Sequence, residues 1–336
     1  MRGCNSGKFA VYYSQTRLGV GPLKPNILVV CGPTASGKTA LAVELALRLG
    51  GEVVSADSMQ VYRRLDIGTA KPTPDETKGV PHHMIDVADP AENYSVARYV
   101  AEAIPVVDDI LRRGRLPIIA GGTGLYIDHL IAGRQFAPFE ADSGLREALQ
   151  KRARDEGLPV LRAELARVDP DAAARIHPND EKRTIRALEV WLSTGKTITR
   201  HDAESRALPR RYEPLTIALN FRERPWLWAR IDRRVDGMMA RGLEGEVRDL
   251  LSGGLPPDCT AMQAIGYKEI AAAILDGRPA AEGAEEVKLR SRQYAKRQLT
   301  WFRRNKDAHW YSWDEIPDFS AALAFSTELA TGSGLR

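Results

Sequence analysis

The run NILVVCGPTASGKTALAVELALRLGG, residues 26–51, constrains the fold more than any other stretch. Asn26 to Cys31 form a short apolar segment with β-branched side chains, the pattern of a buried strand. Gly32, Pro33, Thr34, Ala35, Ser36, Gly37, Lys38 and Thr39 then spell G-x-x-x-x-G-K-T. Such a loop wraps phosphate with backbone N–H groups and a Lys. The Ala-, Leu- and Glu-rich stretch that follows predicts a helix, stopped by Gly50 and Gly51. Strand, loop and helix in this order are the context that a phosphate loop requires. They predict an α/β fold, a P-loop core with a parallel β-sheet flanked by helices. The pattern leaves open whose phosphate is held.

Glu52 to Asp57 (EVVSAD) reads as the next strand and completes a β-α-β unit. The usual crossover makes it parallel to the first, so Asp57 is expected at the same carboxyl edge as the glycine loop. The residues after it, SMQVYRRLDIGTAKP, read as a long surface loop, a place where function concentrates. A third buried strand, Leu116 to Ala120, ends in Gly121, Gly122, Thr123 and Gly124. Glycines crowded around a Thr suggest close backbone approach to a ligand. Nucleotide-hydrolysing enzymes and kinases commonly close such a strand with a Mg²⁺-binding Asp. Here Gly-Gly-Thr stands in that place. Asp57 could substitute for it, so the residues alone keep a P-loop small-molecule kinase open.

From about residue 138 to 208 the texture changes to Ala, Leu, Arg and Glu with helical periodicity and no clear strand. Strand character returns at Pro214 to Phe221. The economical reading is an inserted α-helical domain, 138–208, in a discontinuous catalytic core of residues 25–137 and 209–310. Residues 1–24 then form a flexible extension and 311–336 a C-terminal tail. The first acidic residue is Glu44, so the chain has a basic start. Residues 1–24 nevertheless read as an extension rather than an organellar transit segment. Apolar content of 43% supports a substantial core, and no apolar run approaches the ~20 residues of a membrane span. Cys4, Cys31 and Cys259 lie too far apart for a metal motif, which fits free thiols in a reducing, cytoplasmic setting.

Net charge is only +4, so the placement of charge matters more than its sum. EEVKLRSRQYAKRQLTWFRRNK has no acid after Glu286, and Lys288, Arg292, Lys296 and Arg303 fall on one helical face. A second cluster, Lys182, Arg183 and Arg186, follows HPND. Two basic clusters on a phosphate-binding enzyme point to a polyanionic partner. In RPWLWARIDRRVDGMMARGLEGEV, Leu227, Ile231, Val235, Met238 and Met239 read as a buried stripe, with Arg230 elsewhere on the helix.

The segments GPTASGKTALAVELA, VVSADSMQVYRRLDIGTAKP, GGTGLYIDHLI, ARIHPNDEKRTIRALEV, LWARIDRRVDGMMARGLEGEV, AIGYKEI and YAKRQLTWFRR occur in that order between about residues 26 and 304. In this the chain resembles the bacterial-type tRNA dimethylallyltransferases, also called tRNA isopentenyltransferases. DIGTAKP, HPND and AKRQLTW together are far more specific than the glycine loop. The resemblance implies transfer of a dimethylallyl group from dimethylallyl diphosphate to N6 of adenine 37, in tRNAs reading codons that begin with U. It implies Mg²⁺ held by Thr39, diphosphate on the loop Gly32–Thr39 and on Arg230, Asp57 as general base and Thr123 beside the reacting amine. It also implies an insertion domain that grips the anticodon stem-loop of the tRNA. Ser58, Met59 and Gln60 match tRNA-contacting positions, as do Arg146, Lys182, Arg183, Thr184, Ile185 and Arg186. So do Gln263, Gly266, Tyr267 and Lys268, and Lys296, Arg297 and Gln298. No membrane is involved in such chemistry, and a monomer is expected. The related alternative is an adenylate isopentenyltransferase acting on free nucleotide. The glycine loop of this family normally lies near the start of the chain, so residues 1–24 depart from the pattern.

Overall fold

A computed structural model describes residues 26–134, 143–207 and 209–335 of the chain. The expected extension, residues 1–24, lies outside the described residues, as do the edges of the expected insertion at 138–142 and 208.

Six strands form one sheet: β1 Ile27–Cys31, β2 Gly51–Ser55, β3 His82–His83, β4 Leu116–Gly121, β5 Pro214–Phe221 and β6 His309–Trp313. Their order is β3-β2-β4-β1-β5-β6, and every neighbouring pair is parallel. Strand β1 is buried on both faces, which explains its unbroken apolar run. Alternation sends Ile27, Val29 and Cys31 into one core and Leu28 and Val30 into the other. The first core takes Tyr99, Val107 and Ile110 from the helix Val96–Arg112, and Val235 and Met238 from the helix Arg224–Ala240. The second takes Leu41, Leu45 and Ala46 from the helix Lys38–Leu49. That helix ends where Gly50 turns left-handed, at φ 64°. Gly51 belongs to β2 and not to the stop signal.

Strand β1 connects to β2 toward one edge of the sheet, and its neighbour β4 connects to β5 toward the other. In open α/β sheets the crevice outside such a switch point binds the ligand. The glycine loop leaves the carboxyl end of β1, and Gly-Gly-Thr leaves that of β4. Asp57 stands two residues beyond the end of β2, in the following loop rather than on the strand itself.

The end of the chain corrects an expectation. The expected tail, 311–336, contributes a strand and a helix to the core. Strand β6 pairs with β5, with Trp313 opposite Phe221. The helix Phe319–Gly332 buries Ala322, Leu323 and Ala330 in the second core. Alternating aromatics in HWYSW carry the strand signal, but aromatic residues also suit a helix face.

Between Ser143 and Ala207 the described chain is all helical. These helices gather around a separate apolar cluster that includes Leu149, Leu161, Leu165, Ile185 and Leu188.

Candidate active site

The glycine loop is shaped by close packing. Gly32 has φ 144°, and a Cβ there would stand 2.6 Å from the Leu219 carbonyl oxygen of β5. No other residue type fits without displacing backbone. The Ser36 hydroxyl donates to the Pro33 carbonyl at 2.8 Å, and the Lys38 ammonium donates to the same oxygen at 2.6 Å. Burial, reinforced by Arg234, lowers the Lys38 pKa to about 8, while Asp57 opposes the shift. An anion arriving at the loop therefore meets a cation already short of partners.

Asp57 faces the loop from across the crevice. Its Oδ1 accepts the backbone N–H of Met59 at 2.9 Å and that of Gln60 at 3.4 Å. Among the described residues no hydrogen bond reaches Oδ2, so one carboxylate oxygen is oriented and the other is available. The Ser58 N–H donates to the Thr123 hydroxyl at 3.1 Å, and the Thr123 N–H donates to the Ala56 carbonyl at 3.1 Å. These bonds tie the two strand ends together. Tyr294 lies against Thr123, and burial and Asp57 raise its pKa to about 12, so it stays a neutral hydroxyl.

Lys38, Thr39 and Asp57 open on one cavity of about 340 Å³. Ile231, Val235, Met238 and Val287 supply an apolar wall to it. The glycine loop also borders a second cavity of about 850 Å³, whose rim carries Lys71, Lys78, Arg230, Arg233 and Arg241. Arg230 donates to the Ala35 carbonyl at 3.2 Å, so it sits on the glycine loop. Arg234 borders both cavities and was missed in the sequence. Its position one helical turn after Arg230 was the available signal.

The DIGTAKP segment owes its shape to distant residues. One carboxylate, Glu246, accepts the N–H groups of Asp66 at 3.0 Å, Ile67 at 2.9 Å and Gly68 at 3.3 Å. Tyr267 donates to Glu246 and accepts the Gly68 N–H at 3.1 Å. Gln60 donates to the Thr69 and Ala70 carbonyls at 3.3 and 3.2 Å and accepts from Ser55 at 3.0 Å. Glu246 thereby connects through the loop to the end of β2.

Several of the residues expected to contact tRNA have partners within the fold. Tyr267 is fully buried and braces that loop, and Gly266 is buried at the start of its helix. Gln298 is 6% exposed and spans the crevice, donating to the Gly122 carbonyl at 2.9 Å and accepting the Thr34 N–H at 2.8 Å. Thr184 and Ile185 are buried in the helix Glu181–Thr194 and face its own core. Lys288 and Arg292 are not an open basic stripe, because Lys288 pairs with Asp236 at 2.7 Å and Arg292 with Asp232 at 2.9 Å. Lys182, Arg183, Gln263, Lys268, Lys296 and Arg297 are exposed, and Ser58 and Met59 are half-buried at the crevice. Arg146 and Arg186 both donate to the buried Glu189 at 2.9 Å.

A parallel sheet whose glycine loop and Asp57 line one cavity is the architecture of a P-loop enzyme. The IPP transferase family model matches residues 60–305, and an isopentenyl transferase model matches residues 25–94. The chain belongs to the IPP transferase family. It is 47% identical to tRNA dimethylallyltransferase 1 of Trichlorobacter lovleyi, over 87% of this chain and 95% of that one. It also matches the full-length tRNA isopentenylpyrophosphate transferase of Bacillus halodurans at 42% identity and a TM-score of 0.69. That match covers 92% of this chain and 97% of the other. A eukaryotic dimethylallyltransferase captured acting on tRNA aligns at 29% identity and a TM-score of 0.76, over 92% of this chain and 80% of its own.

Proposed function

We propose that the protein transfers a dimethylallyl group from dimethylallyl diphosphate to N6 of adenine 37, in tRNAs that read codons beginning with U. The observation that carries this reading is the shared cavity, lined by both Lys38 and Asp57 and by an apolar wall. A kinase has no need of that wall next to its phosphate. A five-carbon hydrocarbon does.

The diphosphate lies on the backbone N–H groups of the glycine loop, with Lys38, Arg230 and Arg234 around it. These groups are fixed before substrate arrives and stabilise the negative charge that develops as the C1–O bond breaks. The N6 lone pair attacks C1, and the bonding electrons leave with the diphosphate. Asp57 Oδ2 takes the N6 proton as the C–N bond forms. The half-buried Thr123 holds the β2 end and stands beside the amine. The base must leave its stack to reach this depth, so an extruded nucleotide is required.

Thr39 fits a Mg²⁺ ion. Its hydroxyl borders both cavities and takes no hydrogen bond from other described residues. No cluster of three or more His, Cys, Asp or Glu suited to a metal exists among the described residues, so the remaining ligands would be diphosphate oxygens and water. When bound, the ion neutralises charge on the leaving diphosphate.

The helices between Ser143 and Ala207 are the proposed grip on the anticodon stem-loop, through Lys182, Arg183 and Arg186. A tRNA substrate supports a cytoplasmic setting. Among the described residues no helix is long and apolar enough to cross a membrane.

Purified protein, competent tRNA, labelled dimethylallyl diphosphate and Mg²⁺ should give label in tRNA. Label in free AMP in preference to tRNA would instead identify an adenylate isopentenyltransferase.

A further inference from the structure

We propose that Trp313, in the last strand of the sheet, is a positioning residue for the diphosphate loop. Its indole Nε1–H donates to the Ser36 carbonyl at 2.9 Å. This bond joins residues 277 positions apart and is buried. Trp313 is itself only 3% exposed. Its ring lies flat with that of Phe319, at 6.5 Å and 9°, and meets the Tyr311 ring edge-on at 5.1 Å. The backbone is equally tied, because the Arg222 N–H donates to the Trp313 carbonyl at 2.9 Å. The indole therefore has one place to be.

A trans peptide unit is planar, with its C=O and N–H on opposite sides. Holding the Ser36 carbonyl against the indole aims the Gly37 N–H away from it. Gly37 has φ 84° and borders the basic cavity. It precedes the helix Lys38–Leu49, whose first N–H groups also lack helical partners. A loop whose task is to present N–H groups to an anion gains from any bond that fixes its peptide planes beforehand. A glycine is the residue least able to fix its own plane. Trp313 supplies that constraint from outside the loop.

This inference rests on the reading of the loop as a diphosphate site. Trp313→Phe keeps an aromatic ring at the position but removes the donor together with part of the indole's bulk. Tyr311→Leu loosens the same aromatic cluster and keeps the donor. Binding of inorganic pyrophosphate to each full-length protein, measured by calorimetry, separates the two effects. Loss of one hydrogen bond predicts that Trp313→Phe weakens pyrophosphate about three- to tenfold. KM for dimethylallyl diphosphate should rise by the same factor, with KM for tRNA unchanged. Tyr311→Leu should lower the unfolding temperature and leave pyrophosphate affinity at the wild-type value. Equal affinity in Trp313→Phe and wild type would overturn the positioning role while leaving the diphosphate site intact. So would an equal weakening in both variants, since packing alone would then explain it. Failure of the wild-type protein to bind pyrophosphate would overturn the site and this role together.

Discussion

Gln298 binds Gly122 across the crevice, its amide donating to the glycine carbonyl at 2.9 Å. Its other end accepts the Thr34 N–H at 2.8 Å, so one side chain clasps the glycine loop to the Gly-Gly-Thr turn. A Cβ on Gly122 would stand 2.2 Å from the Gln298 amide nitrogen. Gln298→Leu leaves the half-buried Thr34 N–H and the buried Gly122 carbonyl unpaired, the latter at about 1–3 kcal/mol. Denaturant unfolding should show that loss, and kcat should fall about tenfold as the loop and turn drift apart. Retention of full kcat would show that the clasp is structural only.

Asp57→Ala should remove turnover by about 10²- to 10⁴-fold, the usual worth of a positioned proton acceptor. Binding of tRNA should stay within about twofold, because Asp57 meets one atom of a large interface. Single-turnover transfer and filter binding check the two halves separately. A fully active Asp57→Ala enzyme would remove the residue from catalysis.

Lys38 titrates at about 8 in the free enzyme because burial and Arg234 disfavour its charge. Only the ammonium form attracts diphosphate, and a bound diphosphate raises the pKa again. Affinity for dimethylallyl diphosphate is therefore fullest below pH 8 and declines as pH rises through it. Calorimetry at pH 8.5 should also show proton uptake, through a dependence of the heat on buffer. Lys38→Ala should bind weakly at every pH and lose both signatures.

Glu246 takes three consecutive backbone N–H groups, from Asp66, Ile67 and Gly68. Glu246→Gln replaces one acceptor oxygen with a donor and sets N–H against N–H. Stability should fall by about 2 kcal/mol, the worth of hydrogen bonds to a charged group. The catalytic efficiency kcat/KM should fall with it, because Gln60 reads the position of this loop. Tyr267→Phe removes hydrogen bonds from the same carboxylate and Gly68 and should cost about 1 kcal/mol. Thermal unfolding orders the two variants.

Exposed and paired cations should behave differently toward tRNA. Lys182→Ala and Arg183→Ala should each lower the slope of log affinity against log salt by about one. Lys288→Ala should leave the slope unchanged, because Lys288 is spent on Asp236 and Glu285, at 2.7 and 2.8 Å. Equal slopes for all three would argue against the insertion as the tRNA grip.

What the sequence determined by itself was local. Strand, glycine loop and helix at residues 26–51 follow from neighbours a few residues apart, and so does the arrival of Asp57 after the second strand. The resemblance carried by DIGTAKP, HPND and AKRQLTW reached the family, because such segments are matched residue by residue. Tertiary structure decided which matched residues line the cavity or stay exposed and which are buried holding the others in place. Gln298 and Tyr267 look like contact residues in a linear motif. Of their partners, Thr34, Gly122 and Gly68 lie many elements away in the chain, and Glu246 lies in the helix before Tyr267. Lys288 and Arg292 read as a basic stripe along their helix, and packing against Asp236 and Asp232, with Glu285 beside Lys288, neutralises it. Trp313 gives no functional signal in sequence at all. Hydrogen bonds of this kind are fixed by where the sheet and its covering helices bring distant chain together, and periodicity along one segment carries no record of that.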